Sequence, residues 1–284
     1  MLPRRFELHR PTTMAEALNL LAGFGDEAAP YAGGTELLVA LKARVLHYGH
    51  IVDLKRVPGL RGVREMADGG LAIGALSTHH ELADDALIRA RLPAYAELSG
   101  NVANIRVRVA GTLGGNLCFA EPHADPATLL CALGAQLRLA GPTGERVLPM
   151  REFVLGEFTT AREEGELLLC IEVPARPAGE RAAYRAFGHL ERPAAGVAVA
   201  AVPEGRGWSW CIWVGAVSGR PVRLEEVEAA ARGLSGGEAV QAIEHKAALA
   251  AASLEVHDDI HGSADYKRHL VSVLARRAAE ACLR

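Results

Sequence analysis

Pro30-Tyr31-Ala32-Gly33-Gly34-Thr35-Glu36 and, further along, Gly111-Thr112-Leu113-Gly114-Gly115-Asn116 are the two stretches on which the reading of this chain turns. Each pairs two glycines, and the first runs straight into the apolar Leu37-Leu38-Val39-Ala40-Leu41-Lys42, which has the makings of a helix. Glycine admits left-handed backbone and close approach of a ligand, and free amides at a helix start or in a nest bind anionic oxygens. Two such turns could clamp one pyrophosphate between them, although either turn alone is more often a plain loop. The first turn is not G-x-G-x-x-G, and neither is followed by the G-K-[ST] of a nucleotide P-loop, which disfavours simple Rossmann and P-loop readings.

Working outward, residues 6–9 fit a short strand. Pro11, Thr12 and Thr13 then open a helix with Met14, Leu18 and Leu21 at helical spacing, and Thr13 with Glu16 fits a capping box. After the first turn and its helix comes a strand at 51–54. Beyond Pro58 the pattern predicts a strand at 71–76, a helix capped by Ser77 or Thr78, a helix from 92 to about 103, the second turn, and a buried helix started by Pro126. A hairpin at 136–139 and 146–148 and a strand at 167–173 follow. The stretch 175–180 is the best linker candidate. After it come three strands at 183–187, 197–202 and 208–217, then helices at 225–232, 238–251 and 264–282. The expectation is an α+β protein in three units, 1–57, 58–175 and 181–284, the last a three-stranded sheet with helices.

At 284 residues, with 50% hydrophobic and 23% charged, the chain has the composition of a globular protein of about two domains. A net charge of −3, from 31 basic and 34 acidic residues, supplies no field for polyanions, so nucleic acid is not expected as a partner. No membrane span is expected, since no run approaches the roughly 18 apolar residues one requires. Charges near the start leave no room for a signal peptide, which predicts a cytoplasmic protein. Cys118, Cys131, Cys170, Cys211 and Cys282 are scattered without a C-x-x-C pair, so no metal site is assigned and any metal redox centre must belong to another chain. His79-His80-Glu81 lacks metalloprotease spacing and fits a solvated first helical turn. His257, Asp258, Asp259 and His261 fit a polar connection or subunit contact, and Arg268, Arg276 and Arg277 the solvated face of the last helix. Trp208, Trp210 and Trp213 fit strand positions partly at an interface with another subunit.

Three separated motifs together go further. Tyr31-Ala-Gly-Gly-Thr-Glu-Leu-Leu-Val-Ala-Leu-Lys42, Ile105-Arg-Val-Arg-Val-Ala-Gly-Thr-Leu-Gly-Gly-Asn-Leu117 and Ala120-Glu-Pro-His-Ala-Asp-Pro126 resemble the FAD-binding subunit of the molybdenum hydroxylases. That family includes the medium subunit of aerobic carbon monoxide dehydrogenase and the flavin domain of xanthine dehydrogenase. The likeness continues through Gly165–Pro174, Val214–Arg223 and Gly262–Arg268, and so covers nearly the whole chain.

The resemblance implies a two-lobed FAD-binding domain of the vanillyl-alcohol-oxidase (PCMH) type followed by a C-terminal domain. It places pyrophosphate loops on Ala32, Gly33, Gly34, Thr35 and Glu36 and on Thr112, Leu113, Gly114, Gly115 and Asn116. It also places a flavin-nucleotide hydrogen bond on Asp125 and an apolar cofactor contact on Leu168. From the residues alone, Asp125 could instead cap the helix at Pro126, and Leu168 could simply be core. The implied partners are an iron–sulfur subunit with [2Fe–2S] clusters and a molybdopterin-binding subunit, with flavin passing electrons to an external acceptor. No catalytic acid or base is assigned in this chain. One departure is Ala186-Phe187-Gly188-His189, where xanthine dehydrogenase relatives place a flavin-proximal lysine after Ala-Phe. The alternatives are a self-contained FAD oxidase of the vanillyl-alcohol-oxidase fold and a non-catalytic binding module.

Overall fold

A computed structural model describes residues 3–188 and 192–284, in which three main sheets follow one another along the chain. The first consists of β1 (Glu7–His9), β2 (Ala28–Tyr31) and β3 (His50–Asp53), parallel and in the order β1-β3-β2. Parallel neighbours need crossovers, here α1 (Met14–Phe24) and α2 (Leu37–Ala43). Thr13 caps α1 by accepting the Glu16 amide at 3.2 Å, but the Glu16 carboxylate reaches back to the amide of Thr12 rather than of Thr13. The expected capping box is therefore displaced by one residue. β2 has no counterpart in the sequence reading, because four residues including Pro30 carry too little alternation to announce a strand.

The second unit is an antiparallel sheet of β4 (Val63–Glu65), β5 (Leu71–Gly74), β6 (Gln136–Gly141), β7 (Gly144–Pro149) and a last strand, Leu167–Val173, lying between β5 and β6. Six short helices connect β5 to β6: α3 (His79–Asp84), α4 (Ala86–Arg91), α5 (Pro93–Asn101), α6 (Ile105–Ala110), α7 (Leu113–Phe119) and α8 (Pro126–Ala132). Local chemistry explains the division. Thr78 and Glu81 form a full capping box on α3, Asp85 caps α4 by accepting from Leu87 and Ile88, and Asn104 caps α6 by accepting from Arg106 and Val107. Pro93 and Pro126 occupy first turns, where a missing N–H costs nothing. After β7 come α9 (Met150–Phe153) and a small ladder of β8 (Val154–Gly156) and β9 (Thr159–Thr160), which makes the sheet strand Leu167–Val173 β10.

The third unit is an antiparallel meander, β11 (Arg181–Phe187), β12 (Ala195–Glu204), β13 (Gly207–Gly215) and β14 (Val222–Arg223), followed by α10 (Glu225–Ala231), α11 (Gly236–Ser253) and α12 (Ala264–Leu283). The sheet has four strands rather than the expected three, since the edge strand β14 is too short to show a periodicity. β12 is apolar on both faces for a reason. Val197, Val199 and Ala201 pack in the cluster that contains α11 and α12, while Ala198 packs in the cluster that contains α8. Every residue of α8 is buried, and it crosses the sheet closely where Gly215 has no side chain: a Cβ there would lie 1.9 Å from Thr128 Oγ1.

Of the three tryptophans, Trp208 is half-buried with the Arg181 guanidinium over its ring, and the other two lie in the core rather than on a surface open to a partner. Trp210 and Trp213 are only 4% and 7% exposed, and the Trp210 indole donates to the Ala231 carbonyl. They belong to the core because an indole presented to one of two covered sheet faces meets side chains rather than solvent. Arg276 of α12 is ion-paired to Glu244 and Glu280 rather than merely solvated. All five cysteines are free.

Candidate cofactor site

A cleft of about 270 Å³ opens where the first two units meet, walled by the turn between β2 and α2, the junction of α6 and α7, the loop after α7 and the start of β10. Ala32, Gly33, Gly34, Thr35, Glu36, Thr112, Gly114, Gly115, Asn116, Asp125 and Leu168 all line it. Leu113 does not. Its side chain is fully buried in the core of the second unit, as follows from its place at the first position of α7 with Thr112 as cap.

The two glycine turns bring different things. In the first, the amides of Gly33, Gly34, Thr35 and Glu36 donate to no backbone or side-chain group among the described residues. Gly34 has φ +76°, and a Cβ there would sit 2.2 Å from the Tyr31 ring. That ring carries the Lys55 ammonium over its face at 3.7 Å, and Lys55 also pairs with Asp53 at 2.8 Å, so a cation stands beside the turn. In the second turn the amides are already engaged: Leu113 donates to Ser77, Gly114 to Ala75, Gly115 to the Thr112 hydroxyl and Asn116 to the Thr112 carbonyl. Gly114 lets α7 lie against β5's continuation, since a Cβ would stand 2.6 Å from that of Ala75. The expected symmetrical clamp is thus replaced by one turn with free donors and one closely packed wall.

Two residues of the cleft wall carry polar atoms without partners. Asn116 Oδ1 and His79 Nδ1 are buried and unpaired, and both residues line the cleft. His79 is 2% exposed, against the expectation of a solvated turn; its amide donates to the Gly111 carbonyl, which pins α3 to the second turn. Burial, assisted by the nearby Arg108 charge, lowers its pKa to about 4, so the imidazole is neutral. Cys118 also lines the cleft, and burial pushes its thiol up to about 11. Asp125 does not cap α8. Its carboxylate accepts from the Tyr184 hydroxyl of β11 at 2.6 Å. Burial raises Asp125 to about 6; the Tyr184 hydrogen bond opposes that rise and Glu121 adds to it.

A run of charges ties the third unit to the first turn. Glu36 pairs with Arg192 at 2.9 Å, Arg192 with Glu121 at 3.5 Å, Glu121 with His123 at 3.2 Å and His123 with Asp259 at 3.0 Å. Asp259 ends on the Lys267 ammonium at 2.5 Å, and Lys267 is 2% exposed although it lies on a helix. Partial burial works against ionising Asp259, but Lys267 and the His261 amide hold its carboxyl down at about 2. Asp259 and His261, expected in a polar connection or a subunit contact, form a contact between units of this chain.

Comparison with known proteins reads this geometry. Residues 4–176 match the FAD binding domain in molybdopterin dehydrogenase, and residues 182–282 match the CO dehydrogenase flavoprotein C-terminal domain. The chain belongs to the FAD-binding medium subunits of the molybdenum hydroxylase family. It is 34% identical to the carbon monoxide dehydrogenase medium chain of Afipia carboxidovorans over 99% of this chain and 97% of that one. It is 30% identical to the glyceraldehyde dehydrogenase medium chain of Sulfolobus acidocaldarius over 98% of each. A chain in the solved carbon monoxide dehydrogenase of Hydrogenophaga pseudoflava superposes with a TM-score of 0.93 at 36% identity, covering 99% of this chain and 98% of that one.

The cleft fits the FAD of such a subunit. Four free amides and an adjacent lysine suit a pyrophosphate, the orphaned Asn116 oxygen and Asp125 carboxylate suit ribityl or ribose hydroxyls, and Leu168, Leu54 and Val107 offer apolar wall. His79, Arg192 and Tyr184 are the cleft and supporting residues that sequence reasoning missed. Arg192 lies outside every motif read above and Tyr184 sits within an ordinary strand, so neither carried a local signal. His79 carried one, directly behind the capping Thr78. His189, in the stretch where xanthine dehydrogenase relatives place a lysine, lies outside the described residues.

Proposed function

We propose that the chain is the electron-relay subunit of a multi-subunit molybdenum hydroxylase, in which FAD held in this cleft supplies the redox chemistry, taking electrons from [2Fe–2S] clusters of an iron–sulfur partner and passing them to an external acceptor. A molybdopterin-binding partner would carry out substrate oxidation. The observation that supports this most is the end-to-end likeness to a carbon monoxide dehydrogenase medium chain, joined to a cleft whose free donors suit a dinucleotide. In this reading Ala32 to Glu36 hold the pyrophosphate through backbone amides, Asn116 and Asp125 orient the hydroxyl-bearing chain, and Gly114 keeps the second wall close. Leu168 packs beside the cofactor and excludes water. The three units would act as two FAD-binding lobes, 1–57 and 58–175, and a closing domain, 181–284.

The test is to assay the FAD-loaded chain anaerobically against carbon monoxide, aldehydes, purines and aromatic alcohols. Bleaching of the flavin only after iron–sulfur and molybdopterin subunits are added is the expected result. Rapid bleaching by a substrate without partners would establish a self-contained oxidase instead, and purified protein with no flavin absorption and no FAD uptake would leave only a binding module.

A further inference from the structure

In the first unit, outside the lining of the cleft, two strands present a different set of ligands. In the parallel register Glu7 stands opposite His50, so both side chains leave the same face of the sheet, and His9, two residues along β1, shares that face. His9 Nε2 lies 3.0 Å from His50 Nδ1, and the Glu7 carboxylate lies 3.8 Å from that same His50 nitrogen. One donor atom from each residue falls within 4.8 Å of the other two. Around a tetrahedral ion bound at about 2.0–2.1 Å, neighbouring ligand atoms stand about 3.3 Å apart. The observed separations bracket that spacing.

The rings are held in place. Phe24, at the end of α1, stacks on His50 with centroids 3.7 Å apart and nearly parallel planes, and it also packs on His9 at 5.1 Å. The Gly49 carbonyl, just before His50, accepts the Glu7 amide at 2.8 Å, which fixes the two strands against each other at this point. No lysine or arginine among the described residues pairs with Glu7, His9 or His50. That sets the cluster apart from the richer His123, His261, Glu121 and Asp259 group, where the Lys267 ammonium already fills the place a cation would take.

We propose that Glu7, His9 and His50 form a site for one divalent cation of the borderline class that prefers imidazole, such as Zn²⁺ or Ni²⁺, with water completing its coordination. One carboxylate and two imidazoles make up the set, a composition that favours these ions over Mg²⁺ or Ca²⁺, which take oxygen ligands. Its ligands come from two different strands, so a bound ion would cross-link the edge strand β1 to the central strand β3 and stabilise the unit by linkage. None of the three residues lines the cofactor cleft.

The experiment titrates tag-free, FAD-loaded full-length protein with Zn²⁺ and with Ni²⁺ by calorimetry, with Mg²⁺ as the comparison, and follows thermal unfolding in parallel. The same measurements are made on His9→Phe and His50→Phe, which keep an aromatic ring against Phe24 but lose the nitrogen. Expected are one equivalent bound by the wild type, a rise in Tm with either ion but not with Mg²⁺, and affinity weakened by more than about tenfold in each variant, the least that even an outer-shell ligand partner is worth. Unchanged flavin content in both variants would show that the fold is intact. Absence of stoichiometric binding, or equal binding by wild type and variants, would overturn the assignment.

Discussion

Replacing Asp125 by asparagine should make the flavin-free protein more stable and the flavin complex weaker. Asp125 is half-buried, and desolvation of its carboxyl raises the pKa to about 6 in the native state against 3.8 as the ordinary value. The folded chain therefore holds this proton more tightly than the unfolded chain does, and stability falls as pH rises from 3.8 through about 6. Above that window the full penalty applies, and a displacement of this size corresponds to about 3 kcal/mol. Asparagine carries no charge to desolvate and can still accept the Tyr184 hydroxyl, so Asp125→Asn should gain up to about 3 kcal/mol near pH 7, shrinking to a few tenths near pH 4. Urea unfolding of the flavin-free proteins across that range measures the difference directly. Where FAD hydroxyls donate to the carboxylate, the same substitution exchanges a charge-assisted hydrogen bond for a neutral one, worth about 1–2 kcal/mol, so FAD should bind about tenfold more weakly. A pH-independent difference in stability, or a variant less stable than wild type at neutral pH, would refute the argument from burial. Unaltered FAD affinity would separately refute the role given to Asp125.

The two glycine turns should fail in different ways. Gly34→Val forces a β-branched residue to φ +76° against the Tyr31 ring and should abolish flavin retention, whereas Gly114→Val should destabilise the whole second unit by about 1–3 kcal/mol through overpacking on Ala75; flavin-to-protein ratio and denaturant midpoint distinguish them. Lys267→Met removes the cation from the contact between units and leaves Asp259 facing His123 without it; we expect a loss of about 3 kcal/mol in unfolding free energy, and Lys267→Arg to recover part of it.

Much of the plan was legible in the linear order of residues. The two Gly-Gly turns, the Thr78 cap, the linker at 175–180 and the meander followed by helices are all local signals, produced by backbone sterics and by periodicities that a short window contains. The motifs around Gly33, Gly114 and Asp125, in that order, carried the family resemblance. What the sequence could not carry were properties that arise only when distant segments meet. Gly33-Gly34 and Gly114-Gly115 look alike as text, yet only the fold decides that the amides of the first are free and those of the second are consumed by Ala75 and Thr112. His79 behind a cap and Lys267 on a polar-looking helix both suggest solvent, and burial by other units reverses that, since desolvation depends on what covers a group and not on its neighbours in the chain. Trp210 and Trp213 suggested a docking face for the opposite reason: exposure is decided by whether both faces of a sheet are covered, and here α8 covers one while α11 and α12 cover the other. The pairing of His9 with His50 likewise depends on a parallel register between strands separated by a helix, a strand and a second helix, which no local pattern encodes.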